Sequence, residues 1–170
     1  LFIFFVYQSA PPKRSNMDNP RCLWYSKAKY RQKGHKKMIV KVTKAEQLPI
    51  CLDIIHKSFQ TVAEDLHLTR ENCPGHTAFM PPEKLRAAFD GGCSLFLCRY
   101  QNTFVGCFSL HPTADGATLD HLAVLPPYRH LGLGKEMVAY AADYAKYHLG
   151  AQKIQIGIVE ENTVLKTWYQ

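Results

Sequence analysis

No two cysteines in this chain are spaced C-x-x-C, and no Cys/His set has zinc spacing. A thiol redox motif and a structural zinc site are therefore excluded as readings of the sequence. The six cysteines stand at 22, 51, 73, 93, 98 and 107. Cys51, Cys98 and Cys107 lie in apolar segments, the setting of buried, unreactive thiols. Such thiols suit a reducing compartment, so a cytoplasmic protein is expected. No apolar run approaches the roughly 20 residues of a membrane helix, and no membrane partner is expected. Excess charge is also missing from most of the chain. Of the net +7, residues 1–37 hold nine Lys/Arg against Asp18 alone, while residues 38–170 hold 12 basic and 13 acidic residues. A nucleic-acid surface would rest on residues 1–37 only, and no nucleic-acid partner is expected.

What is present is enough for one domain: 170 residues, 46% of them apolar. Its organising stretch is residues 117–149. Residues 119–125 are rich in apolar side chains and read as a strand. Pro126 and Pro127 stop it, because proline cannot donate to a ladder. From Leu133 the residues Met137, Tyr140, Ala141, Tyr144, Ala145 and His148 recur at spacings of three and four, which is one helix face. Gly150 supplies the stop.

Between strand and helix lies Arg129-His130-Leu131-Gly132-Leu133-Gly134-Lys135. Glycines let backbone approach a ligand closely. The first N–H groups of a helix lack partners, and its dipole favours negative charge. A phosphate or pyrophosphate is the natural guest, and Arg129 and Lys135 add charge. The dinucleotide fingerprint G-x-G-x-x-G is not met, because Arg129 stands for a glycine. A Walker loop is not met either, because Glu136 occupies the Ser/Thr position.

The pattern Arg129-x-x-Gly132-x-Gly134, behind Leu122-Ala123-Val124-x-Pro126-x-Tyr128, resembles the acetyl-CoA loop of the GNAT acetyltransferase superfamily, [RQ]-x-x-G-x-[GA]. The resemblance covers roughly residue 38 to the end. It implies an N-acetyltransferase that moves an acetyl group from acetyl-CoA to a primary amine by direct transfer through a tetrahedral intermediate. The backbone of Leu122, Ala123 and Val124 would then pair with the pantetheine arm. The amides of His130, Leu131, Gly132, Leu133, Gly134 and Lys135 would hold the pyrophosphate, and Asn162 would touch the cofactor arm. The acceptor is a small-molecule amine or a peptide. Homodimers are common in the family and stay open here. A degenerate acyl-CoA-binding module is the alternative function.

The rest of the chain fits that order. Residues 38–42 alternate as a strand, and Thr43 to Glu46 has the form of a capping box. Leu52, Ile55, Phe59, Val62, Ala63 and Leu66 make a helix face, which Pro49 allows only if the helix starts late. Residues 69–77 read as a loop, where His67 and His76 are expected to be exposed. Pro81-Pro82-Glu83 opens a second helix, with Leu85, Ala88 and Phe89 toward the core, and Gly91-Gly92 ends it. Residues 94–99 and 103–110 read as strands about a turn at 100–102, and residues 153–159 as another. Glu161-Asn162 opens a last helix, with Leu165 and Trp168 on its apolar side.

The expected class is α/β (α+β), a GNAT-like mixed, mostly antiparallel sheet flanked by helices, in the order βααβββαβα. The resemblance implies two further strands that the residues up to Gln170 do not include, from a fragment or a shortened protein, so an incomplete domain over 38–170, an open sheet edge and weak stability are expected. Residues 1–37, which open LFIFFVY and turn basic, are expected to be an extension without fold, with Met38 as the natural start.

Acetyl transfer needs an amine without its extra proton, a stabilised oxyanion and a proton for the leaving thiolate. Tyr169, seven residues after Asn162 in the N–x6–Y spacing, is the candidate acid, since a phenol is protonated at pH 7. A base used by some family members, a Glu five residues before the Asn, is absent, because Gly157 stands there. Asp120 is the candidate base, acting through a water. His121 is a second candidate, and strand alternation puts it on the face opposite Asp120. No metal ligands are expected.

Overall fold

The computed structural model describes residues 2–8, 37–114 and 116–159. One six-stranded sheet runs through them. Its strands are β1 (Phe2–Gln8), β2 (Lys37–Lys41), β3 (Ser94–Tyr100), β4 (Thr103–Thr113), β5 (Gly116–Val124) and β6 (Lys153–Val159), in the spatial order β1-β6-β5-β4-β3-β2. Only β5 and β6 run parallel; the other four pairings are antiparallel. The helices are α1 (Leu48–Asp65), α2 (Pro82–Asp90) and α3 (Leu133–His148).

From β2 to β6 this is the expected order. The last expected helix, with Asn162, Leu165, Trp168 and Tyr169, lies outside the described residues. Local signals fix most boundaries. The helix α1 starts at Leu48, so Pro49 sits in its first turn, where its missing N–H costs nothing. The cap is shifted by one residue from the expected box: Gln47 Oε1 accepts the N–H groups of Thr43 and Lys44. Gln101 and Asn102 both take positive φ (48° and 68°), the two-residue turn that matches strand twist.

Two apolar clusters hold the layers together. Ile54, Ile55 and Leu85 of α1 and α2 pack on Leu95, Leu97, Cys107 and Ala123 at one face of the sheet. Leu133, Met137, Ala141 and Ala145 of α3 pack on Phe96, Phe108, Leu110 and Leu119 at the other. Gly106 lets α3 come close, since a Cβ there would meet Ala123 O at 2.8 Å and Met137 Sδ at 3.0 Å. Cys51, Cys98 and Cys107 are buried as expected, and burial pushes the Cys51 and Cys98 thiols up to about 12. Among the described residues no helix is long and apolar enough to cross a membrane.

Two expectations are corrected at the sheet edges. Residues 1–37 are not wholly without fold, because Phe2–Gln8 pairs antiparallel with β6 from Phe2↔Val159 to Gln8↔Lys153. The opening FIFFVY is aromatic and β-branched, which favours a strand wherever an edge is free. The same pairing covers the β6 edge that was expected to be open. Lys37, counted with the extension, is likewise the first residue of β2.

Candidate active site

The parallel strands β5 and β6 stay together for only three pairs, Ala117↔Ile154 to Leu119↔Ile156. Beyond them, residues 120–124 have β4 on one side and no described strand on the other. That leaves a wedge along the β5 edge at Leu122, Ala123 and Val124, where the Val124 carbonyl is held by Arg129 Nε. An extended chain can pair there as a strand would.

The cause is a bulge. Cys107 pairs with Ala123 and Ser109 with Asp120, so Phe108 alone faces both His121 and Leu122. His121 takes φ 54°, a left-handed conformation uncommon outside glycine. Bulges bend a strand and re-aim its side chains. Here the bend undoes the alternation expected from sequence. Ser109 and His111 are two residues apart on β4 and share a face. Asp120 Oδ2 lies 3.7 Å from His111 Nε2, and His121 Nδ1 lies 2.9 Å from Ser109 Oγ. Asp120 and His121 are therefore on the same face, not opposite ones. Ser109 is fully buried and donates its hydroxyl proton to the Asp120 carbonyl at 3.1 Å.

At the mouth of the wedge, Pro126–Tyr128 forms a 3-10 turn, and the chain then enters α3 through two left-handed residues, His130 (φ 63°) and Gly132 (φ 76°). Successive N–H groups converge in such a segment. The first backbone bond into α3 runs from Glu136 N to Gly132 O, and the N–H groups of residues 130–135 make no backbone hydrogen bond among the described residues. A Cβ on Gly132 would meet nothing within 4 Å, so the cradle is open in front. His130, Leu131, Gly132 and Lys135 are exposed, while Leu133 is buried and anchors the helix. Unpaired donors, helix dipole and open space together fit a pyrophosphate.

The Arg129 side chain, expected at the cofactor, is hydrogen-bonded within the fold. Its Nε donates to Val124 O (3.2 Å), and its Nη2 donates to Ser58 O (2.7 Å) and Thr61 Oγ1 (2.9 Å). The guanidinium therefore ties the end of β5 to α1 rather than standing free as a phosphate ligand.

Lys37 was missed by the sequence reading. Its Nζ meets Glu136 Oε1 at 2.6 Å and the Leu131 carbonyl at 3.3 Å. Nothing local marks it, because its partners are nearly a hundred residues away. His76 is corrected: it is buried, not exposed, and its Nδ1 accepts the Ala78 N–H as a cap. His67 is exposed as expected.

A strand that parts from its parallel neighbour beside an open N–H cradle at a helix start describes an acyl-CoA-type transferase. The model of the Acetyltransferase (GNAT) family matches residues 59–170. The chain belongs to the GNAT acetyltransferase family and is an acyltransferase. Solved structures share the fold. The PaiA N-acetyltransferase of Thermoplasma acidophilum, in complex with coenzyme A, superposes with a TM-score of 0.62 at 16% identity, over 79% of this chain and 86% of that one. The ribosomal-protein-S18-alanine N-acetyltransferase of Escherichia coli gives 0.61 at 16% identity, over 79% and 74%. A GNAT family acetyltransferase of Elizabethkingia anophelis with acetyl-CoA bound gives 0.58 at 19% identity, over 79% and 72%. No curated protein sequence matches the chain.

Proposed function

We propose that the protein is an N-acetyltransferase that moves the acetyl group of acetyl-CoA directly to a primary amine, carried by a small molecule or a peptide, in the cytoplasm. Acetyl-CoA is the co-substrate. The observation that carries the reading is the run of unpartnered N–H groups at residues 130–135 beside the wedge of β5.

Each residue then has a task. The amides of His130, Leu131, Gly132, Leu133, Gly134 and Lys135 hold the pyrophosphate. The backbone of Leu122, Ala123 and Val124 orients the pantetheine arm along the wedge, and Asn162 touches it from the C-terminal side. Arg129 keeps the loop attached to α1. The acceptor's proton is received beside the wedge, by the Asp120 carboxylate through a water or by the neighbouring His121. Tyr169 returns a proton to the leaving thiolate. The N–x6–Y spacing supports the last role.

Calorimetric titration of acetyl-CoA, with ATP and NAD as controls, tests the cradle. Gly132→Asn and Gly132→Asp form a matched pair, since both side chains tolerate the left-handed backbone and differ in charge. Binding of acetyl-CoA alone, at least about tenfold weaker in Gly132→Asp than in Gly132→Asn, is expected from a carboxylate facing a pyrophosphate. Equal affinities would overturn the cradle. A thiol-release screen over amines then separates an enzyme from a binding module.

A further inference from the structure

We infer that His121 is the residue that takes the proton from the acceptor ammonium, with Nε2 as the receiving atom and Ser109 as the residue that fixes its tautomer. The inference rests on the acetyltransferase reading above and names the base within it.

The bulge places the imidazole. Without the left-handed turn at His121, alternation would send it to the α3 face, away from Asp120. A non-glycine residue at such a φ is strained and persists where its surroundings hold it. Here the holder is Ser109 Oγ, 2.9 Å from Nδ1.

The hydrogen-bond count then sets the tautomer. The Ser109 hydroxyl has one proton, and the Asp120 carbonyl, which can only accept, takes it. Nδ1 therefore donates to Oγ, and Nε2 keeps a lone pair. Among the described residues Nε2 has no partner. Nε2 is not among the fully buried, unpartnered side-chain atoms of the described residues. It is a half-buried bare base on the strand that borders the wedge.

The charges around it keep the ring neutral and ready. Burial lowers the His121 pKa from 6.5. Asp120 on its own strand pulls it back up, and His111 from β4 and Lys84 from α2 push it down. At pH 7 the ring is thus neutral and can accept a proton, and the Asp120 carboxylate stabilises the imidazolium that forms. Asp120 itself is the weaker choice. Its side chain is 36% exposed and turned toward His111 Nε2 at 3.7 Å, away from Ser109 Oγ.

The step balances. The ammonium gives one proton to Nε2, and the freed nitrogen lone pair forms the C–N bond at the thioester carbonyl. The C–S bond breaks, the second nitrogen proton goes to the sulfur, and His121 releases its proton to water. Ammonium and thioester become amide, thiol and one proton.

The test uses the full chain with an aliphatic amine and with an aryl amine that is already neutral at pH 7. His121→Asn is the variant, because Asn tolerates positive φ. Acetyl-CoA titration checks that it is folded. With the aliphatic amine, the wild-type log kcat/KM should rise and then level below pH 6.5. His121→Asn should lose about 10²- to 10⁴-fold at pH 7, and its rate should climb about tenfold per pH unit without levelling. With the aryl amine the loss should stay under about threefold. Imidazole 15N shifts should show Nε2 bare at pH 7 in the wild type and a tautomer mixture in Ser109→Ala.

An unchanged profile in His121→Asn, or equal losses with both amines, would overturn the inference while leaving the acetyltransferase reading in place. Absence of turnover by a folded wild type that binds acetyl-CoA would remove the transferase reading and this inference with it.

Discussion

Lys37 Nζ lies 2.6 Å from Glu136 Oε1 and 3.3 Å from the Leu131 carbonyl, so the first residue of β2 braces the first turn of α3. Glu136 stands where a pyrophosphate would be held, and its charge opposes such a guest. Lys37 cancels that charge and fixes the loop. Lys37→Met should weaken acetyl-CoA binding about three- to tenfold, as an uncompensated carboxylate at a helix start would. The double variant Lys37→Met/Glu136→Gln should recover most of the affinity by calorimetry. If the double variant binds as weakly as the single, the brace is steric and the charge argument fails.

Arg129 joins three acceptors on two elements: Val124 O, Ser58 O and Thr61 Oγ1. Arg129→Ala should cost about 2–4 kcal/mol in denaturant unfolding, since three bonds from a charged donor are lost and the Val124 carbonyl loses its side-chain partner. Arg129→Lys should not restore it, because a single ammonium cannot span the fork. An Arg129→Ala protein of wild-type stability that fails only in acetyl-CoA binding would return Arg129 to the role of phosphate ligand.

These contacts show where sequence reading works and where it stops. The strand, loop and helix of the cradle were legible because each signal is local: Pro126 and Pro127, the left-handed Gly132, and the 3.6-residue recurrence from Leu133 to Ala145. The turn at Gln101-Asn102 was legible for the same reason. The bulge was not, because a bulge is a miscount between two strands and β5 alone does not record it. Alternation therefore put His121 on the wrong face. The pairing of β1 with β6 joins segments some 150 residues apart and rests on which edge is free, which no window of sequence encodes. His76 was read as exposed from the polar loop around it; Phe59 and Phe79 close over it only in three dimensions.

His76 makes the fold sensitive to acid. Its Nδ1 must be bare to accept the Ala78 N–H, and burial lowers its pKa from 6.5. The unfolded chain binds that proton more readily than the folded one. The contribution is therefore present above about pH 6.5 and lost as pH falls from there through the lower folded value. His76→Asn keeps a capping acceptor without a titrating ring. Between pH 7 and pH 5 its melting temperature should fall less than that of the wild type. His121 titrates in both proteins and cancels in the comparison. Parallel curves would show that His76 takes up its proton as readily in the folded chain as in the unfolded one.

Ser58 sits in the body of α1, 4% exposed, and its Oγ is the buried polar side-chain atom left without a partner among the described residues. Its carbonyl serves Arg129, but its hydroxyl gives up water and gains nothing. Removing such a group recovers part of a desolvation cost of about 1–3 kcal/mol, and alanine is also the better helix former. Ser58→Ala should therefore stabilise the protein by about 1 kcal/mol, read as a melting temperature roughly 2–4 °C higher for a chain of this size. Acetyl-CoA affinity should not change, because the Arg129 contact is to the backbone. A lower melting temperature would mean that the hydroxyl holds a partner inside the α1 face, and the clamp beneath the cradle would then include the Ser58 side chain as well as its carbonyl.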